Sequence, residues 1–205
     1  MASLAMRLHS DGGLLTETFG SLRCAMCGKK QTLGGWRRHV KIGRATEVDL
    51  DGIMELQMAN QPERGGTLSA SLPRSRIATM MRAMPLIVAR GNGRITGFLM
   101  TSTREMNADV PIIQAMLAAY PGATDSYVYG PVCVSAEERG KGLAQAMFVE
   151  LQRLLPGREG ILFIRRDNPA SLRAHAKMGM HEVASFVFKS SDYVVLSYVG
   201  GEIGT

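Results

Sequence analysis

The chain has 205 residues, 45% of them hydrophobic and 20% charged, which suits one globular domain with a sizeable core. No apolar run approaches the roughly eighteen residues of a membrane span, so no membrane partner is expected. The net charge is +6, but ahead of residue 40 Arg7, Arg23, Lys29, Lys30, Arg37 and Arg38 face only Asp11 and Glu17, so +4 of it lies there. A basic balance this concentrated, without aromatic interleaving, gives no ground for nucleic-acid binding.

In chain order, residues 1–39 read as a leader outside the domain expected at 40–200. Gly12-Gly13, Gly20, Gly28 and Gly34-Gly35 break any period. Three readings stay open for it: a flexible arm, an over-long translation start with Met6 or Met26 as alternatives, or an organelle targeting leader. Its serines are few, and the apolar core of a secretory signal is missing. Cys24-Ala-Met-Cys27 is a C-x-x-C pair, but only His9 and His39 lie nearby, so no metal is expected and the thiols read as incidental. Nothing implies disulfides, which points to a reducing, cytoplasmic setting.

From His39 the pattern becomes regular. Residues 39–46 alternate as a strand. Asp49 or Asp51 caps a helix through Ile53, Met54, Leu56 and Gln57. Residues 61–66 form a loop. Ser75 to Met84 reads as a second helix whose methionines fill core. Residues 85–90 and 95–101 are strands joined by Gly91-Asn92-Gly93, a hairpin signal. Residues 110–120 predict an inserted helix. Tyr127 to Val134 is a central strand, with Cys133 expected to be a small buried residue. A helix over 143–155 follows, with Leu143, Met147, Leu151 and Leu154 at helical spacing. The remainder reads as a strand at 160–165, a helix at 169–177, and strands at 182–189 and 192–199 joined by Ser190-Ser191. The predicted class is α/β (α+β): a mixed sheet with helices on both faces.

The stretch between the central strand and its helix carries the chemistry. Gly140 and Gly142 have no Cβ, so a ligand can approach their backbone. The helix that follows offers free N–H groups and a positive dipole end, a seat for phosphate oxygens. Arg139 and Lys141 add positive charge. A P-loop is excluded because leucine follows Gly142. A dinucleotide fingerprint is excluded because Gln145 stands where its last glycine belongs.

What remains, Arg139-x-x-Gly142-x-Ala144, resembles the pyrophosphate loop of the GNAT superfamily of acyl-CoA N-acetyltransferases, [QR]-x-x-G-x-[GA]. Downstream, Asn168, Ser171, His175 and Gly179 fall in register with that family's N-x-x-[AS]-x-x-x-[YH]-x-x-x-G segment. The resemblance spans roughly Lys41 to Val199. It implies a sheet of about seven strands whose fourth and fifth splay apart around acetyl-CoA. It further implies that Val132, Cys133 and Val134 bond the pantetheine arm and that Arg139, Gly140, Lys141, Gly142, Leu143 and Ala144 hold the diphosphate. Asn168 and Ser171 join the same binding set. The family's thiolate acid, often tyrosine, falls on His175, with Tyr129 or Tyr127 as substitutes. Val132 N–H becomes the group that polarises the thioester carbonyl.

No carboxylate lies between Tyr127 and Val134, and Glu105 and Asp125 read as loop acids, so no base is assigned. The expected function is acetyl transfer from acetyl-CoA to a primary amine of a small molecule or amino acid. Acetylation of a protein or peptide amine, and a non-catalytic acyl-CoA-binding module, stay open. So does the choice between monomer and homodimer.

Overall fold

A computed structural model describes residues 40–66, 68 and 70–201. The leader and its two cysteines lie outside the described residues. The chain runs β1 (Val40–Arg44), α1 (Leu50–Ala59), α2 (Arg74–Ala83), β2 (Ile87–Gly91), β3 (Arg94–Ser102), α3 (Pro111–Ala119) and β4 (Tyr127–Val134). It continues through α4 (Leu143–Leu154), β5 (Glu159–Arg165), α5 (Pro169–Lys177), β6 (His181–Phe188) and β7 (Ser191–Val199). The seven strands make one sheet in the order β1-β2-β3-β4-β5-β7-β6. Every pairing is antiparallel except β4 with β5.

Alternation along the strands divides the core. On one face Leu50, Ile53 and Leu56 of α1 and Ile77, Met80 and Met81 of α2 pack on Val88, Phe98 and Met100. Met116 of α3 covers Val128, Ile161 and Val195 on that same face. On the other, Leu143, Met147, Phe148 and Leu151 of α4 pack on Ala89, Leu99, Tyr127 and Tyr129. Leu172 and Met178, on and just after α5, join that second face at its edge. The methionines of α2 are core filler, as their spacing predicts.

The two hairpins turn at Asn92-Gly93 and Lys189-Ser190, all four with positive φ. The second turn comes one residue earlier than the serine pair suggests, because the register Phe188↔Ser191 leaves Lys189 and Ser190 as the loop.

Two buried carboxylates tie elements together. Asp49, just ahead of α1, accepts bonds from Thr46 N at 2.7 Å and from Arg90 Nε at 2.8 Å and Nη2 at 2.6 Å, fastening α1 to β2. Glu159, at the start of β5, accepts from Tyr120 Oη at 2.9 Å, Ala123 N at 2.6 Å and Ser197 Oγ, fastening α3 to the sheet. Burial raises both carboxyls, but the hydrogen bonds outweigh it and hold both below their ordinary values of 3.8 and 4.5.

Because both folded values are lowered, their stabilisation is complete above the unfolded values and disappears as the pH falls through the folded ones. Urea melts below pH 4 are therefore expected to show a marked loss against pH 7. Glu159→Gln should cost about 1–3 kcal/mol at neutral pH, the range for disturbing a buried charged hydrogen-bond set, and should flatten the acid limb. An unchanged acid limb would contradict this assignment.

Candidate functional site

β4 leaves one edge open. Gly130 and Pro131 stand opposite the single residue Met100, so Leu99 pairs with Val132 and Thr101 with Tyr129. Pro131 has no N–H for the ladder, the disturbance its sequence position predicts. On the other side β5 is paired only at Tyr127↔Gly160 and Val128↔Ile161, and beyond those residues the strands part.

Peptide groups alternate sides along a strand. Ser135 N–H donates to Thr96 O at 2.9 Å, toward β3. The N–H groups of Val134 and Val132 therefore point the other way, into the gap. The Val134 carbonyl, on that side, accepts from Arg139 Nε at 3.3 Å. Cys133 is 5% exposed on the α1–α2 face, burial pushes its thiol up to about 11, and by the same alternation its own N–H and C=O face Phe98 of β3, so neither its thiol nor its peptide groups face the gap as expected.

The turn after β4 has the backbone geometry expected of an anion seat. Gly140 and Gly142 have φ of 75° and 81°, and a Cβ on either would meet nothing within 4 Å. The space above them is open, and their backbone is left-handed, where other residues are strained. Gly142 is the N-cap of α4 and has no side chain with which to cap it. The N–H groups of Leu143, Ala144 and Gln145 have no intrahelical partner; Ala146 N is the first to bond, to Gly142 O at 3.0 Å.

The charges at this turn are not equivalent. Lys141 Nζ lies 3.4 Å from Glu138, and Glu137 is bonded by Arg94. Arg139 instead donates to the neutral side chain of Asn60 and pairs with no carboxylate among the described residues. The sequence reading counted both cations alike; the structure leaves only Arg139 uncompensated. Asn60, which nothing in the sequence singles out, is the partner that reading missed.

α5 opens on Asn168, whose Oδ1 accepts from Ser171 N at 3.1 Å. His175 Nδ1 lies 2.8 Å from Ser171 O. A carbonyl only accepts, so Nδ1 carries the hydrogen and Nε2 bears the lone pair. His175 is 8% exposed, and Nε2 is buried without a partner among the described residues. Burial pushes its pKa below the ordinary 6.5, against a smaller opposing effect of the Ser171 bond. The imidazole is therefore neutral at pH 7. It presents an acceptor, where an imidazolium donor was the expectation.

The Tyr129 ring lies 5.8 Å from the His175 ring, edge to face, and equally close to Tyr198. Its hydroxyl is also buried without a partner, and burial drives its pKa up, so it keeps its proton. Tyr127, by contrast, spends its hydroxyl on Tyr198 and carries Arg158 over its ring at 5.5 Å. Glu105 and Asp125 are exposed. No group of three or more potential metal ligands occurs among the described residues. Nor is any described helix long and apolar enough to cross a membrane.

The family model for the acetyltransferase (GNAT) family matches residues 50–180. The chain belongs to that family. Its GNAT fold is shared with solved structures at low identity. Ard1 from Thermoplasma volcanium has a TM-score of 0.60 at 16% identity, over 80% of this chain and 99% of that one. A phosphinothricin acetyltransferase from Sinorhizobium meliloti, in complex with AcCoA, gives 0.58 at 20%, over 80% and 89%. The ribosomal-protein-S18-alanine N-acetyltransferase from Escherichia coli gives 0.57 at 13%, over 80% and 96%. A search of the curated proteins found no match. In this GNAT domain the parallel β4–β5 pair and the splay beyond it are the expected ones.

Proposed function

We propose that this GNAT protein transfers an acetyl group from acetyl-CoA to a primary amine of a small molecule or amino acid. The observation that carries the reading is the junction of two features: the open anion seat at Gly140–Ala144 and the unpaired β4 edge that leads into it. The seat suits a diphosphate. The edge suits the amides of a pantetheine arm, with Val132 N–H the donor to the thioester carbonyl as it gains negative charge. Under α4 and α5, beside β4, Tyr129 O–H and His175 Nε2 are buried without partners among the described residues.

A leaving thiol matches that pair, since sulfur accepts a hydrogen bond and S–H donates one. Tyr129 then donates a hydrogen bond to the sulfur as charge develops on it, solvent protonates the thiolate, and His175 accepts from the resulting thiol. The amine proton passes to solvent. The competing reading is a non-catalytic acyl-CoA-binding module, favoured by a neutral His175 and by a β4 that carries no carboxylate. Acetyl-CoA-dependent thiol release over a panel of amines, amino acids and peptides separates the two. Binding without release on any acceptor would favour the module.

The same proposal places the activity in residues 40–200 alone. A chain starting at Gly35 is expected to match the full chain in melting temperature and acetyl-CoA affinity. A fall of many degrees would contradict this division.

A further inference from the structure

Asn60 ends α1, is 5% exposed, and stands 79 residues from the arginine it holds. Its side chain is fully committed. Nδ2 donates to Leu56 O at 2.8 Å, which fixes the amide, and Oδ1 accepts from Arg139 Nη2. Its backbone carbonyl accepts from Leu68 N at 3.1 Å, in the segment leading to α2. One residue thus touches the end of α1, that segment and the anion seat.

The chemistry of the partner matters. Glutamates flank Arg139 at positions 137 and 138, yet they are taken by Arg94 and Lys141. Among the described residues Arg139 is held by two bonds, one to the Asn60 amide and one to Val134 O at 3.3 Å. An amide orients a guanidinium without cancelling its charge, whereas a carboxylate at the same place would neutralise it.

We propose that Asn60 is a positioning residue: it presents the uncancelled charge of Arg139 to the acyl donor's diphosphate and makes the segment at Leu68 respond when the donor binds. The inference rests on the acetyl-CoA reading above. Its sharpest consequence concerns Asn60→Asp. That change keeps an oxygen for Arg139 as an ion pair but replaces the Nδ2 donor that faces Leu56 O, so a purely structural role predicts lower stability with acetyl-CoA affinity kept. Positioning of a free charge predicts instead that acetyl-CoA affinity falls about tenfold or more, since a nearby unit charge is worth more than 1.4 kcal/mol at intermediate dielectric.

The test is calorimetric titration of acetyl-CoA into the full chain and into Asn60→Asp, Asn60→Ala, Arg139→Ala and the Asn60→Ala/Arg139→Ala double variant. Amide exchange at Leu68 is followed in parallel. Arg139 is exposed, so its variant keeps the test alive if a change at buried Asn60 impairs folding. The expected results are weakened binding in each single variant and no further loss in the double, because both remove the same contact. Acetyl-CoA should slow exchange at Leu68 in the wild type, and saturating acetyl-CoA should not do so in Arg139→Ala. Wild-type affinity in Asn60→Asp, or multiplying effects in the double variant, would overturn the inference alone. A wild type that does not bind acetyl-CoA would overturn the proposed function with it.

Discussion

Gly142→Glu is expected to abolish acetyl-CoA binding while leaving the fold intact. The position has φ of 81°, and a Cβ there would meet no protein atom within 4 Å. It enters the volume assigned to the diphosphate, and its charge opposes that of the ligand. Two like charges about 4 Å apart repel by ~4 kcal/mol at an effective dielectric near 20. That alone is worth about a hundredfold or more in affinity. The left-handed backbone adds about 1–2 kcal/mol of strain for any L side chain. Gly142→Ala isolates that strain, so it should lower stability modestly and affinity far less. Equal affinity for acetyl-CoA in wild type and Gly142→Glu would remove the diphosphate from this turn.

The second large effect is expected at Tyr129. Tyr129→Phe removes only the hydroxyl, in a ring packed on Phe148, Tyr198 and His175. If that hydroxyl donates to the departing sulfur, kcat should fall by about a hundredfold, the usual worth of one positioned donor. Acetyl-CoA affinity should stay within a few fold, because the bond strengthens only as charge develops. His175→Ala should lower kcat as well, by less.

The pH profile separates the roles of His175. Its folded pKa lies below 6.5, so the neutral form prevails at pH 7 and is lost only as the pH drops through the lowered value. An acceptor role predicts that the advantage of wild type over His175→Ala persists at pH 8 and vanishes on the acid side. An acid role predicts the reverse, an advantage lost as the pH rises. Wild-type kcat in both folded variants would remove both side chains from the reaction.

The order of strands and helices was readable because each element carries its own period and boundary. Asn92-Gly93 turns the first hairpin, Asn168 and Pro169 open α5, and glycines punctuate the loop before α4. The two family motifs marked the glycine turn before α4 and the start of α5 in the same local way. What the sequence could not convey depends on distant pairs. Arg139 meets Asn60 across 79 residues, and only the folded chain shows that Lys141 is neutralised while Arg139 is not.

His175 teaches the same lesson. Its motif position implied an acid, but its protonation state follows from burial and from the Ser171 carbonyl, which no local pattern reports. Glu159, one residue ahead of the strand read at 160–165, gathers Tyr120, Ala123 and Ser197 from two other parts of the chain. The open edge of β4 lay between these cases. Gly130-Pro131 announced a disturbance, but the bulge against Met100 and the direction of the Val132 N–H required the register.

The most direct test of acetyl transfer is product formation. The full chain is incubated with acetyl-CoA and pooled amines, amino acids and peptides, with free thiol and acceptor mass followed together. The account predicts an acetylated amine in one-to-one proportion with released thiol, present with wild type and absent with Gly142→Glu. Tight, unproductive binding of acetyl-CoA across the whole pool, or product formed equally by Gly142→Glu, would contradict it.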